Sequence, residues 1–299
     1  MQRYFLKTFG CRASQADGAA LEAGLAEKGL QATATVSEAD VVVLNTCTVT
    51  ATADDELRQT VRRIHRARPD ARIVVTGCYA QRAPQEIAAL AGVSLVVGNS
   101  HKTQIPDLVS APIDFHGEIR VGDIFAQHDF LAAPVEDALG GRTRPNLKIQ
   151  DGCGNRCSFC IIPYVRGRSR SAPAEDVVAQ VRALAAKYRE VVLSGINLGR
   201  WGRELAGRFR LVDLVQRLLD ETPIERLRLS SVEPMDFSDA LLDLMAGSPR
   251  IAKHVHAPLQ RVPIQCCGAC TASIARDITR IASTKLASAC LIAPSAPMS

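Results

Sequence analysis

Val41-Val42-Val43-Leu44-Asn45-Thr46-Cys47 opens with a run of β-branched and aliphatic residues too short for a helix and closes on a cysteine. Its apolar part, 41–45, reads as a strand. Similar runs lie at 4–8 and 73–76, and a fourth at 94–97 ends at Gly98. Helix formers at helical spacing fill 19–26 and 57–67 between them. This alternation predicts βαβ units, an open parallel sheet with helices on its faces over residues 1–110. Cysteines follow three of the strands closely, in Thr8-Phe9-Gly10-Cys11, Asn45-Thr46-Cys47 and Thr76-Gly77-Cys78. Residues just past the carboxyl ends of neighbouring parallel strands converge on one crevice, so cysteines distant in sequence can meet there. Three thiolates at one site suit an iron–sulfur cluster. The other reading of each is a small buried packing residue. Recurrence after three successive strands favours the cluster.

The chain has 299 residues, 47% of them hydrophobic, enough for a buried core and about two domains. No apolar run reaches eighteen residues, and Met1-Gln2-Arg3-Tyr4-Phe5-Leu6-Lys7 reads as a strand rather than a signal peptide, so no membrane association is expected and the cytoplasm is. Ten cysteines in a reducing compartment point to metal ligation or redox chemistry rather than disulfides. The net charge of +5 permits a polyanionic partner without requiring one.

From 111 to 145 the pattern dissolves into Pro, Gly, His and Asp, a connector with room for one short hairpin. A second alternation follows over 146–260. Strands are predicted at 147–150, 191–194, 226–230 and 254–258, with helices at 174–187, 211–220 and 239–245. Successive βα units of this kind form a barrel-like sheet, here an incomplete (β/α) barrel, and the fold class is α/β. Directly after the first of these strands comes Cys153-Gly154-Asn155-Arg156-Cys157-Ser158-Phe159-Cys160. Such a loop can wrap three thiolates around a 4Fe-4S cube and leave one iron without a protein ligand, free to chelate S-adenosylmethionine and cleave it to a radical. A structural zinc site is the alternative, but zinc wants four closed ligands and no fourth Cys or His is near in sequence.

Both cysteine sets, with Lys7-Thr8-Phe9-Gly10-Cys11, Asn45-Thr46-Cys47-Thr48-Val49-Thr50, Gln150-Asp151-Gly152-Cys153 and Cys160-Ile161-Ile162-Pro163-Tyr164-Val165-Arg166-Gly167, resemble the methylthiotransferase family of radical S-adenosylmethionine enzymes over residues 1 to about 260. The resemblance implies a 4Fe-4S cluster on Cys153, Cys157 and Cys160 that cleaves S-adenosylmethionine, and an auxiliary 4Fe-4S cluster on Cys11, Cys47 and Cys78 that delivers sulfur. It also implies a second S-adenosylmethionine as methyl donor and an electron donor of flavodoxin or ferredoxin type. Three branches act on tRNA bearing isopentenyladenosine, tRNA bearing threonylcarbamoyladenosine, or a ribosomal protein aspartate. Thr48-Val49-Thr50 and Arg166-Gly167-Arg168-Ser169-Arg170-Ser171 are most similar to the threonylcarbamoyladenosine branch. A non-catalytic iron–sulfur protein and a zinc-containing RNA-binding protein are the readings outside it.

Arg166, Arg168 and Arg170 alternate beside the cluster loop, placed either to meet tRNA phosphates or as a solvated loop. Gly195, in Ser194-Gly195-Ile196-Asn197, would let backbone approach S-adenosylmethionine, although a simple turn also explains it. Ser231, Glu233 and Gln260 fall at the ends of later barrel strands and are candidate cofactor contacts. His254 and His256 share a face and read as packing residues without a role. Residues 261–299 depart from the family, and Cys266-Cys267-Gly268-Ala269-Cys270 is read as a false metal signal. One permitted codon spelling of residues 261–272, with a single T restored in front, translates as Ser-Gly-Ser-Asp-Ser-Val-Leu-Arg-Arg-Met-His-Arg, which resembles the family's continuation. The tail is therefore expected to be out-of-frame translation, and a barrel ending after its fourth strand is expected to leave an apolar edge and an incomplete cofactor wall.

Overall fold

The computed structural model describes residues 2–48, 51–111, 117–127, 130, 143–207 and 209–257. The chain divides into two compact units, Met1–Pro134 with Asp151–Arg168, and Val135–Gln150 with Ser169–Ser299.

The first unit is built on β1 (Arg3–Thr8), β2 (Gln31–Ala32), β3 (Val41–Thr46), β4 (Arg72–Gly77), β5 (Val93–Gly98) and β6 (Glu118–Arg120), in the order β2-β1-β3-β4-β5-β6. Every pairing is parallel. Its helices are α1 (Arg12–Glu27), α2 (Ala51–Ala67), α3 (Cys78–Arg82), α4 (Pro84–Ala88), α5 (Ile105–Ser110) and α6 (Ile162–Arg166). All six residues of β3 are buried. Successive side chains alternate between faces, so Val42 and Leu44 pack with Leu57, Val61 and Ile64 of α2. Val41 and Val43 pack on the other side with Leu21 and Leu25 of α1 and with Ile105 and Val109 of α5.

Three features depart from the sequence reading. Helix α1 begins well before residue 19, because its first turns bury Ser14 and Asp17, polar residues that hide the apolar period. Within 111–145 the described residues show a parallel strand, β6, added to β5 instead of a hairpin. The division at 146 also differs, since 151–168 clusters with the first unit, to which Arg166 is bonded through Ser14 and Asp17.

The second unit contains β7 (Asn146–Lys148), β8 (Gln150–Asp151), where the chain passes to the first unit, β9 (Arg170–Ser171), α7 (Ala174–Ala185), β10 (Glu190–Ser194), α8 (Leu211–Glu221), β11 (Arg226–Leu229) and α9 (Asp239–Gly247). Its parallel sheet runs β11-β10-β7. The predicted fourth strand is replaced among the described residues by two single parallel bridges, Leu227 to Ile251 and Ser231 to His256. Residue 258, Gln260 and the tail lie outside the described residues.

Candidate functional site

The three N-terminal cysteines sit at the carboxyl ends of β1, β3 and β4, which are adjacent in the sheet. Cys11 is the residue before α1, Cys47 directly follows β3, and Cys78 opens α3. Two glycines bring these ends together. Gly10 has φ +93°, and a Cβ there would lie 2.4 Å from Cys47 Cβ and 2.8 Å from its Sγ, so the loop carrying Cys11 rests on Cys47. Gly77 has φ +102°, and a Cβ there would lie 2.3 Å from the Thr46 carbonyl oxygen, which draws the start of α3 against the end of β3. Cys47 and Cys78 are buried, and Cys11 is exposed. Cys11 Sγ and Ser14 Oγ are 3.7 Å apart, and Asn99 Nδ2 donates to Cys78 Sγ at 3.6 Å.

Cys153, Cys157 and Cys160 are half-buried on one loop of the same unit. The Cys153 amide donates to Gly167 O at 3.0 Å, the Cys160 amide to Cys157 O at 3.0 Å, and the Asn155 amide to Cys153 Sγ at 3.4 Å. Phe159 and Tyr164 are exposed, and Tyr164 meets Phe125 edge to face with centroids 6.2 Å apart. Among the described residues no group of three or more His, Cys, Asp or Glu side chains is gathered so that it could hold a metal ion. The donor chemistry of both sets still fits an iron–sulfur cluster, since all six ligand candidates are soft sulfur donors, one sulfur in each set, Cys78 and Cys153, accepts an N–H, and two buried cations interact electrostatically with Cys78.

Those cations belong to a network the sequence did not reveal. Arg166 Nη1 donates to Asp151 Oδ1 at 2.8 Å, and its Nη2 to Asp17 Oδ2 at 3.0 Å and Ser14 Oγ at 3.3 Å. Lys102 Nζ donates to the same Asp17 oxygen at 3.0 Å and to Asn45 Oδ1 at 3.3 Å. The side chains of Arg166, Asp17 and Lys102 are 2%, 2% and 4% exposed, which overturns the reading of Arg166 as a phosphate contact: its guanidinium is enclosed and held by two carboxylates. Burial works against its charge, but Asp151, Cys78, Asp17 and Cys11 outweigh burial and push its pKa well above the usual value. For Lys102 burial wins and lowers the pKa despite Asp17. The sequence held one signal of this network, Asn45, a lone amide in an apolar strand. Arg168 is exposed and Arg170 half-buried.

In the second unit, Gly195 lies against Gln150, whose Oε1 would be 2.8 Å from a Cβ at that position and accepts from the Asn197 amide at 2.8 Å. The loop is thus shaped at least in part by its own packing. Ser231 Oγ and His256 Nδ1 are 2.7 Å apart; His254 and His256 are both exposed rather than packed. Glu233 is half-buried, and burial, then Asp236, raises its pKa. A cavity of about 180 Å³ is lined by Gly199, Arg203, Arg210, Met235, Asp236 and Phe237 among others; Gly195, Ser231 and Glu233 are not in its lining. No helix among the described residues is long and apolar enough to cross a membrane.

Residues 3–98 match the family described as Uncharacterized protein family UPF0004, and residues 147–281 match the Radical SAM superfamily, running past Gln260. The chain thus carries a match to a radical S-adenosylmethionine domain after a match to a distinct N-terminal domain. The chain is 39% identical over 256 residues to threonylcarbamoyladenosine tRNA methylthiotransferase MtaB of Aquifex aeolicus (strain VF5), covering 85% of this chain and 62% of that one. It is 38% identical over 262 residues to the protein of the same name in Bacillus subtilis (strain 168), covering 85% and 56%. It is 30% identical over 267 residues to the tRNA-2-methylthio-N(6)-dimethylallyladenosine synthase of Desulforamulus reducens, covering 86% and 58%. The chain is similar to radical S-adenosylmethionine methylthiotransferases, at 35–39% identity to three proteins named threonylcarbamoyladenosine tRNA methylthiotransferase MtaB. It spans about three fifths of the length of the curated relatives it matches.

Proposed function

We propose that the protein is a tRNA methylthiotransferase that adds a methylthio group to C2 of N6-threonylcarbamoyladenosine beside the anticodon. The observation that carries this reading is the pair of three-cysteine sets in one compact unit, one at the ends of three adjacent parallel strands and the other on a single loop. The names of the Aquifex and Bacillus relatives supply the substrate. Cys153, Cys157 and Cys160 would hold the 4Fe-4S cluster that, when bound, supplies one-electron cleavage of S-adenosylmethionine. Cys11, Cys47 and Cys78 would hold the auxiliary one. Gly195, Ser231, Glu233 and Gln260 are the proposed contacts to S-adenosylmethionine, and Arg168 and Arg170 those to tRNA phosphate. The proposal includes a flavodoxin- or ferredoxin-type electron donor, a cytoplasmic location and an out-of-frame tail over 261–299.

Mass spectrometry of tRNA nucleosides from cells lacking such an enzyme tests this, with the gene supplied as it stands and with one T restored before codon 261. The 2-methylthio derivative of threonylcarbamoyladenosine is the expected product. A methylthio group on isopentenyladenosine instead, or no product from either gene, defeats the substrate assignment. Product from the restored gene alone places the defect in the tail.

A further inference from the structure

The segment 165–166, just beyond the loop of Cys153, Cys157 and Cys160, touches the surroundings of the other cysteine set at two points. Asn99 Nδ2 donates both to Cys78 Sγ at 3.6 Å and to Val165 O at 2.6 Å. Ser14 Oγ accepts from Arg166 Nη2 at 3.3 Å and lies 3.7 Å from Cys11 Sγ. Asn45, two residues before Cys47, joins the same network by donating to Ser14 O at 2.8 Å and accepting from Lys102. At its other end Arg166 holds Asp151, whose Oδ1 also accepts from the Gly152 amide at 2.8 Å, immediately before Cys153.

We propose that Arg166 is a positioning residue that couples the two cysteine sets, drawing the loop of Cys153, Cys157 and Cys160 onto α1 and setting the charge beside Cys11 and Cys78. The inference rests on the reading of Cys11, Cys47 and Cys78 as cluster ligands. A plain fold contact between apolar side chains would hold the loop as well without a desolvation cost; the charged fork instead bridges two carboxylates, Asp17 and Asp151, and adds an electrostatic field in a water-poor site. Arg166 and Lys102 face Asp17 and Asp151, two cations against two carboxylates. Neutralising Asp17 leaves this network net positive, and neutralising Arg166 leaves it net negative. An electron added to a cluster nearby is favoured by the first change and opposed by the second.

The test uses the full chain with Cys153, Cys157 and Cys160 replaced by alanine, reconstituted with iron and sulfide, so that only the N-terminal set binds. Iron content and the midpoint potential of the bound cluster are read in this background and with Asp17→Asn, Arg166→Gln or Arg166→Lys added. Asp17→Asn is expected to raise the potential by about a tenfold change in the reduced-to-oxidised ratio, ~59 mV for one electron, and Arg166→Gln to lower it by a similar amount. Arg166→Lys, which keeps the charge but loses the fork, should stay close to the parent. If Arg166→Gln does not fold, the contrast between a raised Asp17→Asn and an unmoved Arg166→Lys decides the matter alone. Bound iron with a potential that ignores these variants, or moves the same way in all of them, overturns the inference only. No iron in the background protein defeats the ligand reading itself, and the inference with it.

Discussion

At the scale of single residues, the N-terminal cysteine site depends on what is missing from Gly10. Its φ of +93° is one that side chains rarely adopt, and its Cα sits where any Cβ would overlap Cys47. Gly10→Ala is therefore expected to cost on the order of 1–3 kcal/mol from backbone strain, before the steric displacement of Cys47 is counted. Urea denaturation of the purified chain measures it, and a midpoint unchanged from the parent would mean that this turn is not held as described. Arg166 carries the opposite lesson. In sequence it alternates with Arg168 and Arg170 and reads as part of an exposed basic run, yet it ends α6 and points its guanidinium inward to two carboxylates. Its partners Asp17 and Asp151 lie 149 and 15 residues away, and periodicity carries no information about such a pairing.

Glu190 illustrates how an element acts on one side chain, because it opens the central strand β10 and gathers arginines from both neighbouring segments. Arg228 Nε donates to it at 2.5 Å and Arg144 Nη1 at 3.2 Å, with Arg226 at 3.8 Å. Burial alone would raise its pKa, but the hydrogen bonds from Arg228 and Arg144 outweigh burial and hold it below the usual carboxylate value. A depressed carboxylate contributes stability above its unfolded pKa of about 4.3, and the contribution disappears as pH falls through the folded value. Glu190→Gln should thus destabilise the chain at pH 7 by on the order of 1–2 kcal/mol, with the difference from the parent shrinking below about pH 4. Equal denaturation midpoints at pH 7 would sink the prediction. Of the strands legible in sequence, β3, β4, β5 and β10 are mostly buried on both faces and so carry mainly apolar residues, whereas β1 is only partly buried and is marked by Tyr4-Phe5-Leu6. Of the three residues of β6 one is half-buried and two are exposed, with no apolar run, and the predicted strand over 254–258 has exposed histidines where an interior strand would be apolar.

Across the whole molecule neither unit is one continuous stretch: the chain leaves the first at 134, returns at 151 and leaves again at 168. The ends of 151–168 are fixed within the second unit, where Ala172 donates to Ile149 O at 2.9 Å and Gln150 Nε2 to Ser169 Oγ at 3.0 Å. If the first unit unfolded alone, the second would have to keep 151–168 as a closed, disordered loop, at an entropic cost of about 3 kcal/mol. That cost links the two unfolding reactions. Trp201, the chain's single tryptophan, is fully buried in the second unit with its Nε1 donating to Ala172 O at 3.1 Å, and so reports on that unit alone. Arg166→Met leaves two carboxylates of the first unit buried without their shared cation and is expected to cost about 3–5 kcal/mol. Because of the linkage, the transition seen in Trp201 emission should move to lower denaturant together with the one seen in far-ultraviolet circular dichroism. A Trp201 transition that stays at the parent's midpoint while the dichroism shifts would mean that the loop cost is too small to bind the units into one cooperative reaction.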